Sequence, residues 1–227
     1  MKRTITITSR DRAIILSPLH HAPVFSEAAF AWEWPATDAG RENMARRLWQ
    51  LCDAGLLARY SLPVQALPTV DLFYHWLPGM PDPDFGALAW QLTKRWDAIE
   101  TRRVTFYTAT ATAAMHFGRT IQNPLRSTSS IAHNIGLGQV YARLAFYHPV
   151  LAAGWVAEEV LAASRGYGEK VVDACIVDSS SRPALAIEFA GASYAASNGE
   201  RLREIHKDCA ERDLPYEVWT YPEGGGK

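Results

Sequence analysis

The sequence predicts a mixed chain, α+β in its first third and α/β in its last, and three observations carry that expectation. Three short helical patterns followed by two strand-like runs fill the first 78 residues. The run Pro78-Gly79-Met80-Pro81-Asp82-Pro83 then interrupts the pattern, because Pro and Gly at this density continue neither a helix nor a central strand. From Ile131 the order reads helix, helix, strand, strand, helix, strand. With 227 residues, 48% of them hydrophobic, the chain has enough apolar mass for one large core or two small ones. A formal net charge of −1 excludes a charge-expanded disordered chain and a histone-like polycation.

In residues 1–78, Asp11 to His21 carries Ile14, Ile15 and Leu19 at helical spacing, and Pro23 ends that helix. Ser26 caps a short second helix through Trp32, closed by Pro35. Thr37 or Asp38 caps a third, whose apolar stripe is Met44, Leu48, Leu51 and Cys52; Gly55 is its stop. Leu56 to Leu62 and Val70 to Leu77 read as two strands of a hairpin. Three helices and a hairpin form the plan of a winged helix-turn-helix, whose third helix enters the major groove of double-stranded DNA. Arg41, Asn43, Arg46 and Arg47 lie on that helix and Arg59 opens the wing, so these five are the candidate DNA-binding residues. They read alternatively as solvated charges balanced by Asp38, Glu42 and Asp53, on a winged helix that docks protein.

Residues 79–130 form a connecting segment. Phe85 to Glu100 is a helix with Leu88, Leu92, Trp96 and Ile99 on one side, and Lys94, Arg95, Arg102 and Arg103 make its end basic, as the helix dipole favours. Val104 to Ala109 is a strand, and an irregular stretch runs from Phe117 to Ser130. In residues 131–227, helices are expected over Ile131 to Phe146 and Val150 to Ala163. Lys170 to Val177 and Ala184 to Phe189 are strands joined by the turn at Asp178 to Pro183. Ser197 to Arg212 is a helix with Leu202, Ile205 and Cys209 buried, and Tyr216 to Tyr221 is the last strand.

Acids fall at the ends of these strands. Asp173 starts one and Glu188, fifteen positions on, ends the next, so a hairpin can bring them side by side. Two such carboxylates can hold Mg2+ or Mn2+, which would polarise a phosphodiester and lower the pKa of an attacking water. Glu158 or Glu159 can add a third acid. An acid inside Ala186-Ile187-Glu188-Phe189-Ala190 costs several kcal/mol unless it is paired or metal-bound, which singles out Glu188.

Val172-Asp173-Ala174-Cys175-Ile176-Val177 followed by Ala186-Ile187-Glu188-Phe189-Ala190-Gly191 resembles the core of the PD-(D/E)XK nuclease superfamily. With Tyr194, Arg201-Leu202, His206 and Leu214-Pro215-Tyr216-Glu217-Val218-Trp219 behind it, and His133-Asn134 with Val140-Tyr141 before it, the chain resembles the replication-relaxation family of plasmids and integrative elements. Arg46-Arg47-Leu48 through Asp53-Ala54-Gly55-Leu56-Leu57 resembles that family's third helix and wing entry. The resemblance covers roughly residues 10–78 and 130–220 and implies a DNA-binding winged helix with a nuclease-like domain behind it. One departure bears on activity: active members of the superfamily carry lysine where Ala190 stands, and Val172 replaces a proline. Lys207, Arg201, His206 or Lys170 can bring a cation back. The expected catalytic set is thus Asp173, Glu188, Glu158 and Lys207, with Asp173 and Glu188 as metal ligands. A nuclease-like fold kept as a binding scaffold, an active metal-dependent nickase, and a non-enzymatic regulator all remain open on the residues alone.

Other chemistries find little support. Cys52, Cys175 and Cys209 form no C-x-x-C pair, which points to buried thiols in a reducing, cytoplasmic setting. No H-x-x-x-H pair, G-x-S-x-G elbow or phosphate-binding glycine loop occurs. No apolar run is long enough to span a membrane, and Met1 to Thr6 lacks the pattern of a secretory signal. Self-association as a homodimer is compatible with the sequence.

Overall fold

The computed structural model describes residues 5–118, 128–162, 172–197 and 199–223. Most of the expected irregular stretch, the end of the helix at Ala163 and Lys170 lie outside them. Among the described residues the fold is mixed α+β, with two sheets and helices packed between and around them. No helix among the described residues is long and apolar enough to cross a membrane.

Helix α1 (Ser9–His20) starts in a capping box: the Thr8 side chain accepts from the Asp11 N–H while Asp11 accepts from the Thr8 N–H at 2.7 Å. Strand β1 (Phe25–Ser26) and α2 (Glu27–Phe30) follow, with the Ser26 hydroxyl accepting from Ala29 N–H. Helix α3 (Asp38–Asp53) is capped by Thr37 and buries Met44, Leu48 and Leu51; Gly55, at φ +75°, releases the chain after it. These elements match the expected first three helices. The hairpin does not form as expected.

Strand β2 (Leu57–Val64) pairs with β4 (Arg102–Ala109), and β3 (Asp71–Trp76) crosses to the other sheet. The cause lies in the intervening loop. Ala66, Leu67 and Val70 are buried, and the carbonyls of Leu67 and Val70 accept from Gln139 at 2.8 Å and Arg143 at 3.1 Å. The loop therefore runs along the helix carrying Gln139 and Arg143 and cannot turn back on β2. The first sheet is antiparallel in the order β1-β4-β2.

Helix α4 (Phe85–Asp97) is capped by Asp84, and α5 (Ala111–His116), which the sequence reading missed, by Thr110. Helix α6 (Thr128–Tyr147) lies between the sheets. Its Gly136 is required by a close approach, since a Cβ there would fall 2.1 Å from the Phe189 ring. The helix expected over Val150 to Ala163 is instead α7 (Pro149–Ala152), strand β5 (Trp155–Ala157) and α8 (Glu158–Ala162). Gly154 makes that break: its carbonyl accepts from Val177 N–H at 2.8 Å, and a Cβ would stand 2.4 Å from the Val177 oxygen.

Strands β6 (Ala174–Val177) and β7 (Pro183–Phe189) form the expected antiparallel hairpin. Helices α9 (Ala192–Ala196) and α10 (Glu200–Glu211) then lead to β8 (Tyr216–Thr220), parallel to β7. The second sheet has the order β3-β8-β7-β6-β5. Strands thus cross the expected boundaries at 78 and 130: β4 completes the first sheet and β3 edges the second. A main core joins α1, α3, α6 and both sheets, and a second, around Trp76, Leu92, Tyr194, Leu202, Ile205 and Tyr216, lies under α4 and α10.

Candidate functional site

The hairpin brings Asp173, just before β6, against Glu188, near the end of β7. Glu188 Oε2 accepts from the Asp173 N–H at 3.2 Å, and Asp173 Oδ2 accepts from the Phe189 N–H at 2.7 Å. The two acids are 5% and 1% exposed. Burial of that degree demands partners, and three other elements supply them. From α6, His133 Nε2 lies 3.1 Å from Asp173 Oδ1. From α9, the Tyr194 hydroxyl donates to Glu188 Oε1. From α10, Arg201 reaches Glu188 Oε1 at 3.3 Å and the Tyr194 oxygen at 3.0 Å.

Burial alone would depress His133, but the Asp173 carboxylate outweighs it, with Glu188 and Glu158 adding, and raises the imidazole to about 9. His133 is therefore an imidazolium at neutral pH and donates to Asp173. Burial and then Asp173 push the Glu188 carboxyl up, against the opposing charge of Arg201. Glu158 sits at the exposed rim; desolvation, Asp173 and Glu159 raise its carboxyl, and its N–H donates to the Asp173 carbonyl at 2.9 Å.

Mg2+ or Mn2+ does not fit this arrangement. All four oxygens of Asp173 and Glu188 already accept hydrogen bonds, and the neighbouring charges on Arg201 and His133 are positive. A hard dication needs free oxygens and room for its waters. No group of three acids, histidines or cysteines suited to a metal occurs among the described residues.

The structure brings together Asp173, Glu188 and Glu158 but leaves Lys207 outside. Lys207 is exposed on α10 and its ammonium lies 4.0 Å from Glu211. Helical geometry accounts for this: Leu202, Ile205, His206 and Cys209 form the buried stripe, and Lys207 points away from it. His206 is also committed elsewhere, to Tyr216 and Asp82 at 3.2 Å each. Arg201, one of the alternative cations, makes the contact. His133 and Tyr194 entered the sequence reading only as residues of the family resemblance; nothing in the pattern assigned them to the acids, although a buried acid beside a missing lysine implied that partners had to exist.

The expected DNA-binding residues divide. Arg47 is a structural cation: its guanidinium grips the buried Asp11 (Nε–Oδ1 2.7 Å), the Thr6 carbonyl at 2.8 Å and Gln50 at 2.8 Å. Arg41 pairs with Asp38 on the surface, and Arg46 donates to Asn43 at 2.6 Å. Arg41, Asn43 and Arg46 are exposed on α3 beside an exposed Trp49, and Arg59 is exposed on β2. Comparison with protein-family models, with curated proteins and with solved structures gives no match.

Proposed function

We propose that this chain is a DNA-binding protein of the replication-relaxation type carried by a plasmid or mobile element, whose nuclease-like domain serves as a scaffold and not as a catalyst. The observation that carries the reading is the closed state of the acid pair. Glu188 is buried, three of the roughly four acceptor sites on its carboxylate are taken by Arg201, Tyr194 and a backbone N–H, and the neighbouring guanidinium answers its charge where a metal would otherwise have to. The acids adjoin on a β-hairpin, as nuclease ancestry would leave them, while the contacts around them are those of a core ion-pair network.

The DNA-binding half is supported by the succession α1, β1, α2, α3, β2 and, after β3 and α4, β4, which is central in its sheet. In this reading the wing is β2 with β4, and β3 and α4 are inserted between its strands. Exposed Arg41, Arg46 and Arg59 then face phosphate, with Arg103 on the same sheet face as Arg59. Two measurements test the two halves. Duplex affinity is expected to fall in Arg46→Ala/Arg59→Ala, with the salt slope reduced by about one per lost phosphate contact; unchanged affinity and slope would overturn the DNA-binding half. Plasmid incubated with Mg2+ or Mn2+ is expected to stay supercoiled; nicking by wild type that Asp173→Ala abolishes would overturn the scaffold half.

A further inference from the structure

Between α1, the turn after α2 and the C-terminal half of α6 lies a pocket of about 410 Å3, within the range of small-ligand sites. Its walls combine aromatic rings with aliphatic side chains such as Ile14 and Leu16. His21 stacks on Tyr141 with ring centroids 3.9 Å apart and planes at 14°, and Trp32 lies 4.7 Å from Phe146, while Phe30 also lines the space. Phe146 is 54% exposed, so the rim is open to solvent.

The polar groups are few and their signs agree. Glu33 lines the pocket, and no lysine or arginine does among the described residues. Burial first, and then Glu33, raise the Tyr141 phenol, so the Glu33 field reaches the stacked rings. Burial and neighbouring His20 hold His21 down to about 4, which leaves a neutral imidazole at neutral pH. Its Nδ1 is buried without a hydrogen-bond partner. We infer that this pocket binds an organic cation, a quaternary ammonium group carried on a flat apolar body. Ring faces attract such a cation electrostatically, the carboxylate at Glu33 adds to the attraction, and a quaternary ammonium sheds water readily. An anion would meet one carboxylate and the negative faces of the rings, with no basic side chain in return.

The inference is independent of whether α3 touches DNA. Its test is calorimetric titration of the full chain with benzyltrimethylammonium, and with phenylacetate and benzyl alcohol as anionic and neutral counterparts. Saturable binding of the cation is expected, about tenfold tighter than either counterpart. Glu33→Gln, at an exposed position, is expected to keep the wild-type unfolding midpoint and weaken the cation about threefold to tenfold. Ala145→Phe, which fills the pocket, is expected to abolish binding. Equal affinity for phenylacetate or benzyl alcohol, no saturation by the cation, or a Glu33→Gln variant that binds as tightly as wild type would overturn it.

Discussion

Arg47 and His133 show how a charged side chain is assigned its work by burial. Arg47 sits in the middle of an arginine-bearing helix and reads in the sequence like its neighbours Arg41 and Arg46. Asp11, 1% exposed and thirty-six positions earlier, claims it. Burial would raise the Asp11 carboxyl, but hydrogen bonds from Arg47 and Thr8 prevail and hold it at about 2. Because this is below the ordinary value of 3.8, the stabilisation is complete above about pH 4 and is lost as pH falls toward 2. Arg47→Ala leaves a buried acid unpaired and is expected to cost about 3 kcal/mol in urea denaturation. His133 has the opposite sign. Raised to about 9, it stabilises the fold fully below about pH 6.5, and that stabilisation is lost as pH rises through 9. Glu188, raised by burial and Asp173, acts in the same direction over a lower window, its contribution lost as pH rises from about 4.5 to about 8. His133→Gln is expected to give a shallower decline in unfolding midpoint between pH 6.5 and 9; an unchanged slope would remove His133 from the charged network.

Among the elements, those with a long internal period were legible and those fixed by one contact were not. Helices α1, α3, α4 and α10 were legible from apolar spacing, α3 also from its cap, and the β6–β7 hairpin from its Asp178 turn. Strand β5 has only three residues, and its existence depends on Gly154 meeting Val177, a partner twenty-three positions away. The partner of β2 was misjudged for a similar reason: the loop after it is held by Gln139 and Arg143, which local pattern cannot reveal. At the site, Asp173 and Glu188 were readable because a hairpin fixes their pairing, whereas His133, Tyr194 and Arg201 come from three separate helices. The seat of α6 gives a direct check. Gly136→Ala pushes a methyl into the fully buried Phe189 ring and is expected to destabilise by about 2 kcal/mol in chemical denaturation. A cost near zero would mean that α6 can shift away from β7 freely.

At the scale of the whole molecule, sheet topology overrides the division suggested by composition. The Pro- and Gly-dense run at 78–83 is a local break in the chain, yet Trp76 before it packs with Tyr216 and His206 far beyond it. Asp82, inside that run, is itself tied to His206. Expression of residues 1–78 alone would leave β1 and β2 without the central β4 and β3 without β8. Such a fragment is expected to lack the cooperative thermal transition of the full chain, and a sharp two-state melt from it would show that the first sheet is dispensable to its helices. The alliance of β3 with β8 also governs the order of events during synthesis. Asp71 pairs with Thr220, so a nascent chain leaving the ribosome carries an unzipped β3 until the last strand emerges. That long wait leaves Trp76, buried only once the sheet is complete, open to chaperones and to neighbouring chains, and makes capture of β3 by β8 the natural late step of folding.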